Sequence, residues 1–238
     1  MRAWPRTLLE LSPFEVDALR LSLRVGFWSV AGGLPLGLAA AFVLARGRFP
    51  GKLLFDGMVH LPLVLPPVVV GFALLVLFGR NGPIGAVLYE RLGVTFAFNW
   101  KGAALASAVM GFPLMVRAMR LSIEAVDPRL EEAASTLGAP GWFVFLSVTL
   151  PLAAPGVVAG LILGFAKAIG EFGATITFVA NIPGETQTIA TAIYTATQDP
   201  AGAAETWRLT VIALAIAFAA LVASEALAAR VSGRNAAE

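Results

Sequence analysis

The chain of 238 residues contains no cysteine, which removes disulfides, thiolate metal sites and thiol catalysis together. Charge is scarce as well: Asp, Glu, Lys and Arg make up 13% of the residues, against about a quarter in a soluble domain. The 17 basic residues are scattered and the net charge is only +2, so a nucleic-acid surface has no support. The opening run "MRAWPRTLLELSPFEVDALR" mixes Arg, Pro and acids and has no long apolar stretch ending in small residues. No removed leader is expected there, and Leu8, Leu9 and Leu11 read as an interfacial segment ahead of the first span. The phosphate-binding pattern G-x-x-x-x-G-K-[ST] is missing, since "FPGKLL" around Lys52 lacks both the spacing and the hydroxyl. Any nucleotide chemistry is therefore expected in another polypeptide. His60 is the single histidine; with no second ligand of its kind nearby it reads as an interfacial residue. No nucleophile and base are set out as an enzyme would need.

What is present is apolar. Hydrophobic residues make up 58% of the chain and the mean hydropathy is +0.82, so the expected class is an all-α integral membrane protein. A crossing helix needs roughly 17 to 25 mostly apolar residues. Five segments meet that requirement, at about 24–45, 53–78, 102–119, 151–179 and 209–229, in a single transmembrane domain over 1–238. The stretch 84–100 carries Glu90, Arg91, Asn99 and Trp100, which argues against a sixth span. The short loop with Arg46, Arg48 and Lys52 has no acid, and the positive-inside rule puts that side in the cytoplasm. Arg117, Arg120, Arg129, Arg230 and Arg234 then share it, while Arg80, Arg91, Lys101, Arg208 and the N-terminal arginines fall on the other side. The whole-chain count is nearly even, and the dense short loop alone sets the expectation of an N-terminus outside and a C-terminus inside. No repeat of fixed period is visible, which counts against the duplicated architecture of secondary carriers. A stand-alone carrier or channel remains the competing class, and uptake by the chain alone would distinguish it.

Between the third and fourth segments lies "DPRLEEAASTLGAP". Asp127 followed by Pro128 is a helix start: the carboxylate accepts from free backbone N–H groups, and proline lacks only a donor that would go unused. Gly138 is the matching stop, with Pro140 beyond. A helix over about 128–137 follows, with Leu130, Ala133, Ala134 and Leu137 on one narrow face at about 100° per residue. So short a helix is unstable alone in water, and its stripe must be covered. A helix lying on lipid is the plain reading; the small, acidic character of this one favours a protein groove.

Two further features concern a route through the membrane. Gly156, Gly160 and Gly164 form a small-residue stripe for close packing. On an unbroken helix Lys167, Glu171 and Thr175 lie near that stripe, directed at protein or a water-filled cavity. A self-neutralising Lys167–Glu171 pair and a pathway or gate role are both compatible with this spacing. Pro62, Pro66 and Pro67 free backbone carbonyls in the second segment and mark a hinge, or simply a tolerated kink. The polar run "TITFVANIPGETQTIATAIYTATQDP" fits either donors to an oxygen-rich solute or ordinary loop composition.

Glu132, Ala133, Ala134, Gly138, Val148, Leu150 and Pro151 resemble the EAA loop of permease subunits from ATP-driven, binding-protein-dependent importers, with Val148 in place of the usual isoleucine. The segments "HLPLVLPPVVVG", "TFAFNWKGAALASAVMGFPLMVRAMRL" and "GEFGATITFVANIPGETQTI" resemble the molybdate branch of that family, over about residues 20–230. The resemblance implies the type I ABC importer permease fold and no cofactor on this chain. It implies that ATP is used by two separate ATPase subunits, which grip Leu130, Glu132, Ala133, Ala134, Leu137 and Gly138 of a cytoplasmic coupling helix. It further implies a homodimer in the bacterial inner membrane, fed by a periplasmic binding protein for molybdate or tungstate. Sulfate, thiosulfate and phosphate are the alternative cargoes. The chain ends soon after the fifth segment, so no fused regulatory domain is expected.

Overall fold

The computed structural model describes residues 11–235, with side chains to residue 226; Leu8, Leu9 and the side chains of Arg230 and Arg234 lie outside the described residues. Every regular element among the described residues is helical. Helix α1, Pro13–Arg46, begins at a reciprocal cap in which Ser12 Oγ accepts from the Glu15 N–H and the Glu15 carboxylate accepts from the Ser12 N–H. It therefore starts well before the apolar segment predicted at 24–45. At 1.5 Å per residue it runs for roughly 50 Å, longer than a hydrocarbon layer of about 30 Å.

Helices α2 (Lys52–Val64) and α3 (Pro67–Phe78) meet at 111°. The corner has a local cause. Proline disfavours helical geometry in the residue before it, and Leu65 and Pro66 are both extended, with ψ of 142° and 132°. Pro62, by contrast, lies inside α2. Four helices among the described residues are each long and apolar enough to cross a membrane, and the bent α2–α3 pair makes a fifth if it counts as one span. Helix α4, Gly85–Leu92, stops at left-handed Gly93 and is too short to cross.

Helix α5, Trp100–Glu124, is the centre of the bundle and packs along α1 and along α8, Leu150–Ile169. The glycine stripe of α8 is what lets α8 approach. A Cβ on Gly156 would stand 2.1 Å from the Ser122 Cβ, and one on Gly164 2.6 Å from the Met115 Cγ. The core divides into three zones. Val25, Met110 and Phe178 join α1, α5 and α9 (Gly173–Val179); Leu44, Val59, Met119 and Ala153 join α1, α2, α5 and α8; Ala18, Ile189 and Leu209 join α1, α10 (Ile189–Gln198) and α11 (Ala203–Asn235).

The fourth segment departs from the unbroken helix expected at 151–179. Helix α8 ends at Ile169, and α9 (Gly173–Val179) starts after a break at Gly170–Phe172. Gly170 sits at the end of α8 and supplies no side chain to hold the helix straight. Helix α10, Ile189–Gln198, occupies part of the polar run for which the sequence left solute donors and loop composition both open, and α11, Ala203–Asn235, follows it.

Candidate functional site

Helix α6, Pro128–Thr136, is capped at both ends. Asp127 accepts from the Arg129 N–H at 2.9 Å. At the other end Gly138 is left-handed with φ of +88°; its N–H donates to the Ser135 carbonyl, and that of Ala139 to the Ala134 carbonyl. These two bonds are the Schellman pattern, which satisfies carbonyls the helix leaves free. Yet no residue of α6 is buried. Leu130 is 49% exposed and Leu137, just past the helix, is 89% exposed. A nine-residue helix capped so completely, with its leucines in the open, is a preformed surface awaiting a cover.

The tie between α6 and the body runs through Glu131. Its carboxylate accepts from Arg46 Nη2 at 3.1 Å and Nε at 3.3 Å, and from Thr149 Oγ1 at 2.7 Å. Arg46 Nη2 also donates to the Val126 carbonyl at 2.8 Å. Glu132, singled out in the sequence, is exposed and makes no side-chain hydrogen bond or ion pair among the described residues. Ala133 is exposed and Ala134 half-buried, so the helix leans on the body along Glu131 and Ala134. The acid–base arithmetic of a sequence cannot separate two adjacent glutamates; only the position of Arg46, 85 residues away, distinguishes them.

After α6 the chain passes through α7 (Gly141–Val144) and a π-helical turn, Phe145–Thr149, before entering α8. Thr149 is the buried end of that turn. Because Arg46 lies against α6, the basic loop after α1 shares an end of the bundle with Arg129 and the EAA-like segment.

The break in the fourth segment changes the roles of Lys167, Glu171 and Thr175. Lys167 Nζ donates to Glu171 Oε2 at 2.7 Å, and Glu171 Oε1 accepts from the Ala174 N–H at 2.9 Å. Glu171 is thus both an ion-pair partner and the cap of α9, and its side chain is 1% exposed against 30% for Lys167. Thr175 is buried and its hydroxyl is turned to the Glu171 and Phe172 carbonyls. Of the three, Lys167 alone keeps an accessible polar group.

In the polar run after α9, Thr186, Gln187, Thr188 and Thr191 are buried, whereas 182–185 and 197–200 are exposed. Thr186 Oγ1 accepts from the Ile182 N–H, and Asn181 and Gln187 both donate to Thr195 Oγ1. Asp56, His60, Arg120 and Glu124 join α2 to α5: Arg120 donates to Asp56 at 3.2 Å and to Glu124 at 2.8 Å, and His60 Nδ1 lies 3.1 Å from Asp56. No group of side chains suited to holding a metal ion occurs among the described residues. A cavity of about 620 Å³ between α1, α2 and α5 is lined by Trp28, Leu36, Phe55, Met58 and Phe112, with Lys101 the one charged residue among its lining. Apart from Lys101 its walls are apolar and offer few donors.

A bundle of long apolar helices, one of its corners turned by a capped, uncovered helix, defines a membrane-embedded transport subunit. The family profile described as the inner membrane component of binding-protein-dependent transport systems matches residues 33–234, and the chain belongs to that family. It is 56% identical over 214 residues to the molybdenum transport system permease protein of Escherichia coli K12, covering 90% of this chain and 93% of that one. The corresponding Haemophilus influenzae protein is 55% identical, with 91% and 94% covered. A sulfate transport permease of Synechococcus elongatus is 42% identical over 73% of this chain and 60% of its own. Among solved structures, a bacterial importer of alginate superposes with a TM-score of 0.66 at 19% identity, covering 93% of this chain and 80% of that one. The inward-facing methionine transporter gives 0.66 at 15% identity, with 96% and 99% covered. At these identities the two structures speak for the fold alone.

Proposed function

We propose that the chain is the membrane-spanning subunit of an ATP-driven importer that moves molybdate inward by alternating access, with α6 seated in a groove of a separate ATPase. The observation that carries the reading is α6 itself, fixed at both ends by caps while leaving Leu137 89% exposed. A partner that covers Leu130, Ala133 and Leu137 supplies the burial the isolated helix lacks. Molybdate as cargo follows the 56% identity to the Escherichia coli molybdenum permease.

In this reading the end of the bundle holding α6, Arg46 and Arg129 is cytosolic, the C-terminus lies on that side and the N-terminus is periplasmic. Two copies of the chain enclose the route, two ATPases engage the two α6 helices, and a periplasmic binding protein delivers the oxoanion. Nucleotide-driven movement of α6 passes directly into α5, which ends at Glu124, and through the π turn into α8. The α2–α3 corner at Pro66 and Pro67 serves as the hinge. Lys167 presents positive charge to the passing anion while Glu171 limits how tightly it is held, because a deep cationic site would retain its cargo. No covalent step takes place in this chain.

The test is uptake of radiolabelled molybdate by proteoliposomes holding the permease, its ATPase and its binding protein. Leu137→Asp with Leu130→Asp is expected to abolish ATPase co-purification and lower uptake at least about tenfold, the effect of burying unpaired carboxylates in an interface. ATPase binding at the unsubstituted level would overturn the assignment of α6. Sulfate or tungstate in excess reports on cargo choice.

A further inference from the structure

We propose that Arg46, Glu131 and Thr149 form a three-way joint that makes α6 move as one body with the end of α1 and the start of α8. The inference rests on α6 being the ATPase seat. Burial does not hold α6, since none of its residues is buried. What does hold it is one carboxylate that receives Nε and Nη2 of Arg46 at 3.3 and 3.1 Å and the Thr149 hydroxyl at 2.7 Å.

Each partner stands at a terminus. Arg46 is the last residue of α1, Glu131 lies in the first turn of α6, and Thr149 closes the π turn before α8. The same Arg46 reaches the Val126 carbonyl at 2.8 Å, so it grips both sides of the corner between α5 and α6. Among the described residues no other hydrogen bond joins α1 to α6. Arg46 and Glu131 are 21% and 19% exposed, and two guanidinium nitrogens engage the one carboxylate. Partly desolvated, forked pairs of this kind fix direction as well as distance, unlike a flexible surface pair.

The consequence concerns transmission. Helix α1 is distant from α6 in sequence and meets it otherwise only through its packing on α5 and α8. Arg46 adds a direct link, so a displaced α6 acts on the end of α1 itself as well as through its neighbours. The joint therefore acts by positioning α6.

The experiment uses the complete reconstituted importer and reads three quantities: ATPase co-purification, ATP hydrolysis, and molybdate taken up per ATP hydrolysed. Arg46→Ala and Glu131→Gln are expected to keep ATPase binding and hydrolysis while uptake per ATP falls about tenfold. The exchange Arg46→Glu with Glu131→Arg is expected to recover part of that loss, because the ion pair returns with its ends reversed, while unchanged ATPase binding and hydrolysis in the single variants separate a coupling defect from a folding defect. Uptake per ATP at the original level in both single variants, an exchange no better than either, or loss of ATPase binding in Arg46→Ala would each overturn the joint. The Leu130→Asp, Leu137→Asp variant keeps the two possible failures apart: if it still binds ATPase, the seat is wrongly assigned, whatever Arg46→Ala does.

Discussion

Glu15 has no exposed surface, although it carries a carboxylate one turn into α1. Its two oxygens take Nε of Arg208 at 2.7 Å and Nη2 at 3.1 Å, and one of them also accepts from the Ser12 N–H at 2.7 Å. A buried pair of this kind adds little net stability over an apolar match, but removing one member leaves a charge with no partner. Arg208→Ala is therefore expected to destabilise the folded chain by about 3 to 5 kcal/mol, read as a lowered midpoint in denaturant titration in detergent. Arg208→Ala combined with Glu15→Leu should recover most of that loss, because the orphaned carboxylate goes with its partner. Arg46 and Glu131, about a fifth exposed, fall on the milder side of the same physics, and their loss should register in coupling rather than in folding.

At the scale of elements, helix ends were legible in the sequence where a single residue type determines them. Asp127–Pro128 and Gly138 bracket α6 within a residue of the expected limits, since capping is a local interaction of side chain and backbone. The break at Gly170–Phe172 was not legible, because glycines recur along the whole segment, at Gly156, Gly160, Gly164, Gly170 and Gly173, and such a run is compatible with a continuous helix until packing decides. The eleven-residue shortfall at the start of α1, from Pro13 to the expected 24, has the opposite cause: hydropathy passes over turns containing Asp17, Arg20 and Arg24, although the Ser12 cap starts a helix there. The break bears on how Lys167 should be tested. Lys167→Ala strands a carboxylate that is 1% exposed and would cost about 3 to 5 kcal/mol, so reduced uptake in that variant confounds fold with pathway. Lys167→Met with Glu171→Gln removes both charges and leaves the amide oxygen of the glutamine to cap Ala174. The folded chain should then be close to its original stability in detergent melts, while molybdate uptake falls if the anion meets Lys167; full uptake in the stable double variant removes Lys167 from the path.

Over the whole molecule the two polar clusters lie at opposite ends of one helix. Glu15 and Arg46 are both on α1, and at 1.5 Å per residue they stand roughly 46 Å apart, more than the thickness of the hydrocarbon layer. Arg208 fixes the start of α11 at the Glu15 end, and Glu131 fixes α6 at the Arg46 end. Gln198, at the end of α10 just before α11, and Thr136, at the end of α6, should consequently face opposite compartments; both are exposed. The absence of native cysteine makes the comparison direct. Gln198→Cys should react with a membrane-impermeant maleimide in intact spheroplasts, and Thr136→Cys only in inside-out vesicles or after permeabilisation. The reverse pattern would place α6 outside the cell, beyond the reach of any cytosolic ATPase, and labelling of both from one side would mean that α1 does not cross the membrane. Only the predicted pattern lets ATP binding at the Arg46 end act on a cargo that enters from the Glu15 end.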